Sequence, residues 1–127
     1  TLPAHPLAQL NRPLTIQDFQ EIDWVLREVG SGTREVFDNV MLKDLPNAKL
    51  RLTLGHNEAI LKVVAGGLGV ACVSRLAIEP LAKDGHLIIL DTPFWVLKRP
   101  LFMLVHRQKY KGPGLKAFIE FCRVNNV

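Results

Sequence analysis

The stretch that most constrains the fold runs from Trp24 to Phe37, W-V-L-R-E-V-G-S-G-T-R-E-V-F. Trp24, Val25 and Leu26 form a short apolar run that reads as a strand, and a charged pair, Arg27 and Glu28, closes it. A turn with two glycines, Gly30 and Gly32, follows. Beyond it Val36, Phe37, Val40 and Met41 recur at helical spacing, which predicts a helix to about Leu42. Where a strand breaks through small residues into a helix, the first helical N–H groups lack internal partners. They and the positive end of the helix dipole make a seat for an anion. Ser31 and Thr33 add hydroxyls there, and Arg27 or Arg34 offers a guanidinium able to grip a carboxylate or oxyanion at two points.

The rest of the chain alternates strands and helices. Pro3, Pro6 and Pro13 predict an extended lead-in, and Thr15 with Asp18 marks a short helix start over 15–19. Leu50 to Leu54 alternates apolar and polar residues as a strand does. Gly55-His56 turns the chain, and Asn57 is placed to cap a helix over 58–65 that Gly66-Gly67 ends. Val70 to Val73 reads as a buried strand, Arg75 to Leu81 as a helix stopped by Pro80, and Leu87 to Leu90 and Leu101 to Val105 as two more strands. Pro113 opens a last helix with Leu115, Phe118, Ile119 and Cys122 on one face and Lys116, Glu120 and Arg123 on the other. This order predicts an α/β fold with a mainly parallel sheet and flanking helices.

Length and composition bound the reading. The chain has 127 residues, 48% hydrophobic, enough for one domain with a real core. No apolar run approaches the roughly 18–20 residues of a membrane helix, so a soluble protein is expected. Cys72 and Cys122 sit at expected core positions, which favours two reduced thiols and a cytoplasmic setting. Neither they nor the scattered His5, His56, His86 and His106 have the spacing of a zinc site; His56 alone invites a functional role. The net charge of +4 is uneven. Residues 98–127 hold Lys98, Arg99, Arg107, Lys109, Lys111, Lys116 and Arg123 against Glu120 alone. Such a segment suits nucleic acid or an acidic partner, or simply a solvated strand edge and helix face. Only Tyr110 stands directly between two basic residues to stack a base, which favours the solvated face.

Several chemistries are excluded by residue type. The third glycine of a dinucleotide fingerprint would fall at position 35, which is Glu, and no acid stands near 47–53 to hold a ribose. A P-loop lacks its Gly-Lys-Ser/Thr. A hydrolase built on Ser31 and His56 lacks both the G-x-S-x-G elbow and a third orienting group. What remains is binding without chemistry: the junctions at Gly30–Arg34 and Gly55–Glu58 point two helix N-termini toward the carboxyl edge of the sheet. Ser31, Thr33 and Asn57 are expected either to cap their helices or to hold a ligand, and Arg27, a charge closing a buried strand, favours the ligand.

One family resembles this arrangement. His5-Pro6-Leu7-Ala8, Trp24-Val25-Leu26-Arg27-Glu28 with Gly30-Ser31-Gly32-Thr33-Arg34, Asn57-Glu58-Ala59-Ile60 and Ala65-Gly66-Gly67-Leu68-Gly69-Val70-Ala71 occur in an order and spacing similar to the effector-binding domain of LysR-type transcriptional regulators. The G-S-G-T-R form looks like the branch of sulfur-assimilation and carbon-fixation regulators. The likeness runs from about His5 to Cys122 and departs at Ser74, where the family often has proline. It implies a fold like type II periplasmic binding proteins, with two subdomains around an effector cleft. Residues 6–97 would be the second subdomain, and 98–127 the returning strand and last helix of the first. The first half of subdomain one and the winged helix-turn-helix have no counterpart, so DNA would be read only through a domain outside these residues. The ligand-binding set implied is Arg27, Gly30, Ser31, Gly32, Thr33, Arg34, His56 and Asn57. The expected partners are a small anionic effector and a second copy of the chain, with no cofactor, metal or catalytic residue. A transport-type solute-binding protein for a small anion is the alternative.

Overall fold

The structure is a computed structural model, described over residues 1–100 and 102–125. Its centre is a three-stranded parallel sheet: β1 (Asp23–Arg27), β2 (Lys49–Leu54) and β3 (Val70–Ala71), in the spatial order β2-β1-β3. The α/β class and the parallel sheet match the expectation. Trp24, Val25 and Leu26 are all buried, as a central parallel strand covered on both faces requires.

The two faces are covered by different helices. Trp24 and Leu26 point to a core shared with Phe37 and Met41, which follow β1. Val25 points the other way, to Ile60, Leu61 and Val64 of α2 (Asn57–Ala65) and Ile78 of α3 (Arg75–Lys83). The first face is aromatic: Trp24 meets Phe37 edge-on at 4.9 Å between ring centroids, and Phe19 meets Trp95 at 5.0 Å. Each fully buried ring stabilises the fold by about 1.5–3 kcal/mol. Trp95 is anchored further by its Nε1–H, which donates to Asp44 Oδ2 at 2.8 Å.

The helical run after β1 reaches as far as its apolar spacing predicts, but only its first half is α-helix. α1 covers Gly32–Val36 and gives way to a π-turn, Phe37–Met41, closed by Leu42 N–H donating to the Phe37 carbonyl. The Thr15 start forms only a 3-10 turn, Ile16–Phe19, where Asp18 accepts from the Thr15 amide at 2.7 Å. The lead-in also holds a 3-10 turn, Pro6–Gln9. At the end of α2, Leu68 N–H donates to the Val63 carbonyl and Gly67 N–H to that of Val64, with Gly67 at φ +90°, so the expected left-handed stop is present.

Five further expectations need correction. Asn57 does not cap α2; His56 occupies the N-cap, without a side-chain bond. Pro80 does not stop α3, which continues to Lys83. The carbonyl that Pro80 leaves without its N–H donor is that of Leu76, a residue 81% exposed, so water can satisfy it. Leu87–Leu90 is no strand, and β3 ends at Ala71 rather than Val73. Ile88 exchanges backbone hydrogen bonds with Thr1 alone, and one residue pair does not make a ladder. Residues 102–105 form no strand either, while Leu101 lies outside the described residues. Among the described residues no strand runs beside them, and Phe102 and Leu104 are exposed. The last helix, α4 (Pro113–Val124), forms as expected, but only Cys122 of its apolar face is buried and Phe118 is exposed. Among the described residues, α4 has no substantial packing against the sheet.

Candidate functional site

Three helices begin at the carboxyl ends of the three strands: α1 after β1, α2 after β2 and α3 after β3. Because α1 and α2 cover opposite faces, the chain reverses direction across the sheet between β1 and β3. That reversal opens a crevice at the carboxyl edge, the usual ligand position in open α/β sheets. A hollow of about 460 Å³ lies there. Thr33 lines it from α1, Cys72, Val73 and Ser74 from the segment after β3, and Arg75 from the start of α3. The segment leading to α4 adds Trp95, Leu97 and Arg99.

The residues marked out by sequence divide between two places. Thr33 lines the hollow, and Gly32 lies beside it, under the Arg99 side chain. Ser31 is the buried N-cap of α1, yet its side chain makes no capping bond. Gly30, at φ +92°, supplies the left-handed turn that brings the chain from β1 into α1. On the β2 side sits a separate polar cluster. Arg27 donates from Nε and Nη2 to the Glu28 carboxylate at 2.8 and 2.9 Å, and from Nη1 to Asn57 Oδ1 at 3.1 Å. This guanidinium holds the Glu28 carboxyl at about 2, well below the ordinary range. His56, exposed at the head of α2, adds a smaller effect of the same sign. Arg34 donates to Asp38 Oδ1 at 2.8 Å and to the Arg27 carbonyl. Arg27 and Arg34 therefore spend their donors inside the chain, and neither they nor His56 and Asn57 line the hollow.

Arg99, Arg75 and Ser74 do line it, and sequence reasoning did not select them. Arg99 could have been found from its place in the basic segment, just beyond the aromatic Phe94-Trp95 pair. Ser74 stood out only as a departure from a proline. Cys72 is half-buried and free, and burial pushes its thiol up to about 11, so it behaves as an apolar wall. Among the described residues, no group of three or more His, Cys, Asp or Glu is placed to hold a metal ion, and no helix is long and apolar enough to cross a membrane.

This architecture has known counterparts. The family model for the LysR substrate binding domain matches residues 1–125. The chain belongs to that family. Among its relatives in the LysR family, an uncharacterized HTH-type transcriptional regulator, YeiE of Escherichia coli K12, is 39% identical over 98% of this chain and 42% of its own length. The RuBisCO operon transcriptional regulator of Acidithiobacillus ferrooxidans is 33% identical over 92% of this chain and 38% of its own. HTH-type transcriptional regulator CysL of Bacillus subtilis is 34% identical over 95% and 40%. The chain thus spans about two fifths of the curated relatives it matches. Among solved structures, the regulatory domain of CcmR from Synechocystis PCC6803, in complex with 2-PG, superposes with a TM-score of 0.71 at 25% identity, covering 98% of this chain and 60% of that one.

Proposed function

We propose that this LysR substrate-binding domain is the effector-sensing part of a DNA-binding transcription regulator. Its effector is a small anionic metabolite or oxyanion, seated in the hollow between β1 and β3. The observation that carries this reading is the composition of that hollow: among the described residues, two arginines and two hydroxyls line it, and no carboxylate does. Thr33 and Ser74, at the heads of α1 and α3, bring hydroxyls and helix N-terminal amides to the same space. That the similar CcmR domain was solved with 2-PG supports an anion.

In the full protein, residues 6–97 form the second subdomain and residues from 98 onward return to the first, so ligand closes a cleft between them. Effector and DNA then communicate as two linked sites: an effector that binds one arrangement of the subunits more tightly shifts the population toward it. The protein works in the cytoplasm as a homodimer or higher assembly, and it senses its ligand rather than transforming it. Calorimetric titration of the full-length protein with 2-PG and with inorganic phosphate tests this. Thr33→Val is expected to weaken the binding by about tenfold, or about 1.4 kcal/mol, as loss of a hydrogen bond to a charged ligand does. Unchanged affinity in Thr33→Val would remove the hollow as the site.

A further inference from the structure

We infer that Trp95 and Asp44 form a latch that fastens the returning segment onto the second subdomain. The joint between the subdomains then begins at Val96, and Asp44 positions one wall of a hollow that it does not line itself. This rests on the two-subdomain reading proposed above and adds a positioning residue to it. The first observation is where the ties of the returning segment stop. Leu87 N–H donates to the Leu81 carbonyl, and Ile88 exchanges backbone bonds with Thr1. The Trp95 indole then reaches Asp44, 51 residues away in the chain, at 2.8 Å. Among the described residues, none from Val96 to Val105 makes a hydrogen bond, and Val96 to Pro100 are all exposed. Trp95 is therefore the last fixed point before the chain leaves the second subdomain.

The second observation is what the latch holds. Trp95, Leu97 and Arg99 line the hollow at alternate positions, the spacing of one face of an extended segment. A turn at Trp95 therefore carries the other two with it. Inward, the Trp95 ring meets Phe19 at 5.0 Å, Phe19 stacks on Trp24 at 6.1 Å, and Trp24 meets Phe37. This row of rings joins the returning segment to β1 and to the π-turn that follows α1. Apolar contact is non-directional, so the rings bury Trp95 without fixing its rotation; a charge-assisted bond to a carboxylate does fix it. Asp44 is free for that task. Its N–H donates to the Met41 carbonyl and its own carbonyl accepts from Gln20 Nε2 at 2.8 Å, so its loop is held by backbone groups and its carboxylate is left for the indole.

The test is hydrogen exchange by mass spectrometry on the full-length protein. Asp44 is exposed and its loop keeps its backbone bonds, so Asp44→Ala is expected to fold. It should speed exchange of the amide at position 95, which donates to the Thr92 carbonyl at 3.0 Å, by about tenfold, while α2 exchanges at the parent rate. Trp95→Phe, which keeps a ring and loses the N–H, should give the same pattern, and the double variant no more than either change alone. Asp44→Asn keeps an acceptor oxygen and should restore most of the protection. Calorimetry with 2-PG reads the positioning role: affinity is expected to fall about fivefold in Asp44→Ala and to recover in Asp44→Asn. Unchanged exchange at position 95, or an equal acceleration in α2, overturns the latch. Local acceleration with unchanged 2-PG affinity overturns the positioning role. If 2-PG does not bind the parent protein, the anion reading falls, and the exchange pattern still decides the latch.

Discussion

Two arginines at the carboxyl edge of the same sheet have opposite circumstances. Arg27 closes β1 with its side chain 20% exposed and its donors committed to Glu28 and Asn57. Arg99 reaches the other side of β1 from the segment before α4, lies on Gly32, and has no such partner among the described residues. The first ties β1 to the head of α2; the second faces a hollow. The difference teaches that a charge near a helix N-terminus is a candidate ligand group only after its internal partners have been counted. A guanidinium already gripping a carboxylate would have to surrender those bonds to take an external anion.

The largest expected effect removes the frame that both arginines depend on. Gly69 sits at φ +117° just before β3, and a Cβ there would lie 2.3 Å from the Asp23 carbonyl oxygen. Unlike Gly32, it faces backbone that cannot swing aside. Gly69→Ala is expected to cost about 3 kcal/mol or more, from backbone strain together with overpacking. It should take the β3 wall of the hollow with it, read by urea unfolding and by loss of anion binding. A Gly69→Ala protein of unchanged stability would mean that the β1–β3 approach is looser than described.

Next is the contrast itself. Arg27→Ala strands the partly buried Asn57 amide and frees Glu28, and should cost about 1–2 kcal/mol of stability. Anion affinity should stay within about twofold. Arg99→Ala should reverse the pattern: stability within about 0.5 kcal/mol, as for an exposed side chain without partners, and weakened anion binding. If Arg27→Ala weakens binding tenfold at constant stability, the two arginines have been assigned the wrong way round.

The smallest effect is in acid. Glu28 is held at about 2 in the folded chain against an ordinary 4.5, chiefly by hydrogen bonds from Arg27. A carboxyl more acidic when folded than unfolded adds stability that is complete above 4.5 and is lost as pH falls from there through about 2. Arg27→Ala should therefore make the decline in stability between pH 4.5 and 2 shallower, and Arg99→Ala should leave it unchanged. Acid melts followed by circular dichroism would reveal a common slope if the Arg27–Glu28 pair has no such role.

What was legible in the sequence was what local chemistry determines. The apolar run at Trp24, the alternation at Leu50–Leu54 and the Gly66-Gly67 stop each carry their own signal, and the family motifs fixed the fold class. The errors lie where partners decide. Leu87–Leu90 and residues 102–105 have the composition of strands, but a strand exists only beside another strand. Pro80 is tolerated inside α3 because that stretch of helix faces water. At the site, the Gly-Ser-Gly-Thr turn lies at one wall of the hollow, which Thr33 lines. Asn57 and His56 share the carboxyl edge but fall on the β2 side, because the reversal of strand order, invisible in a linear reading, puts the crevice between β1 and β3. The contact between Arg99 and Gly32 was unreadable for a related reason: it is made by the folded chain, and no spacing encodes it.

The central claim is a location, so the most direct measurement is the position of a heavy anion. Anomalous diffraction from crystals of the full-length protein grown with selenate, the heavier relative of sulfate, gives that position without ambiguity. The account predicts a peak within hydrogen-bond distance of Thr33 and Arg99, at the mouth of the β1–β3 crevice. A peak beside Arg27, His56 and Asn57 instead, with the crevice empty, would contradict it.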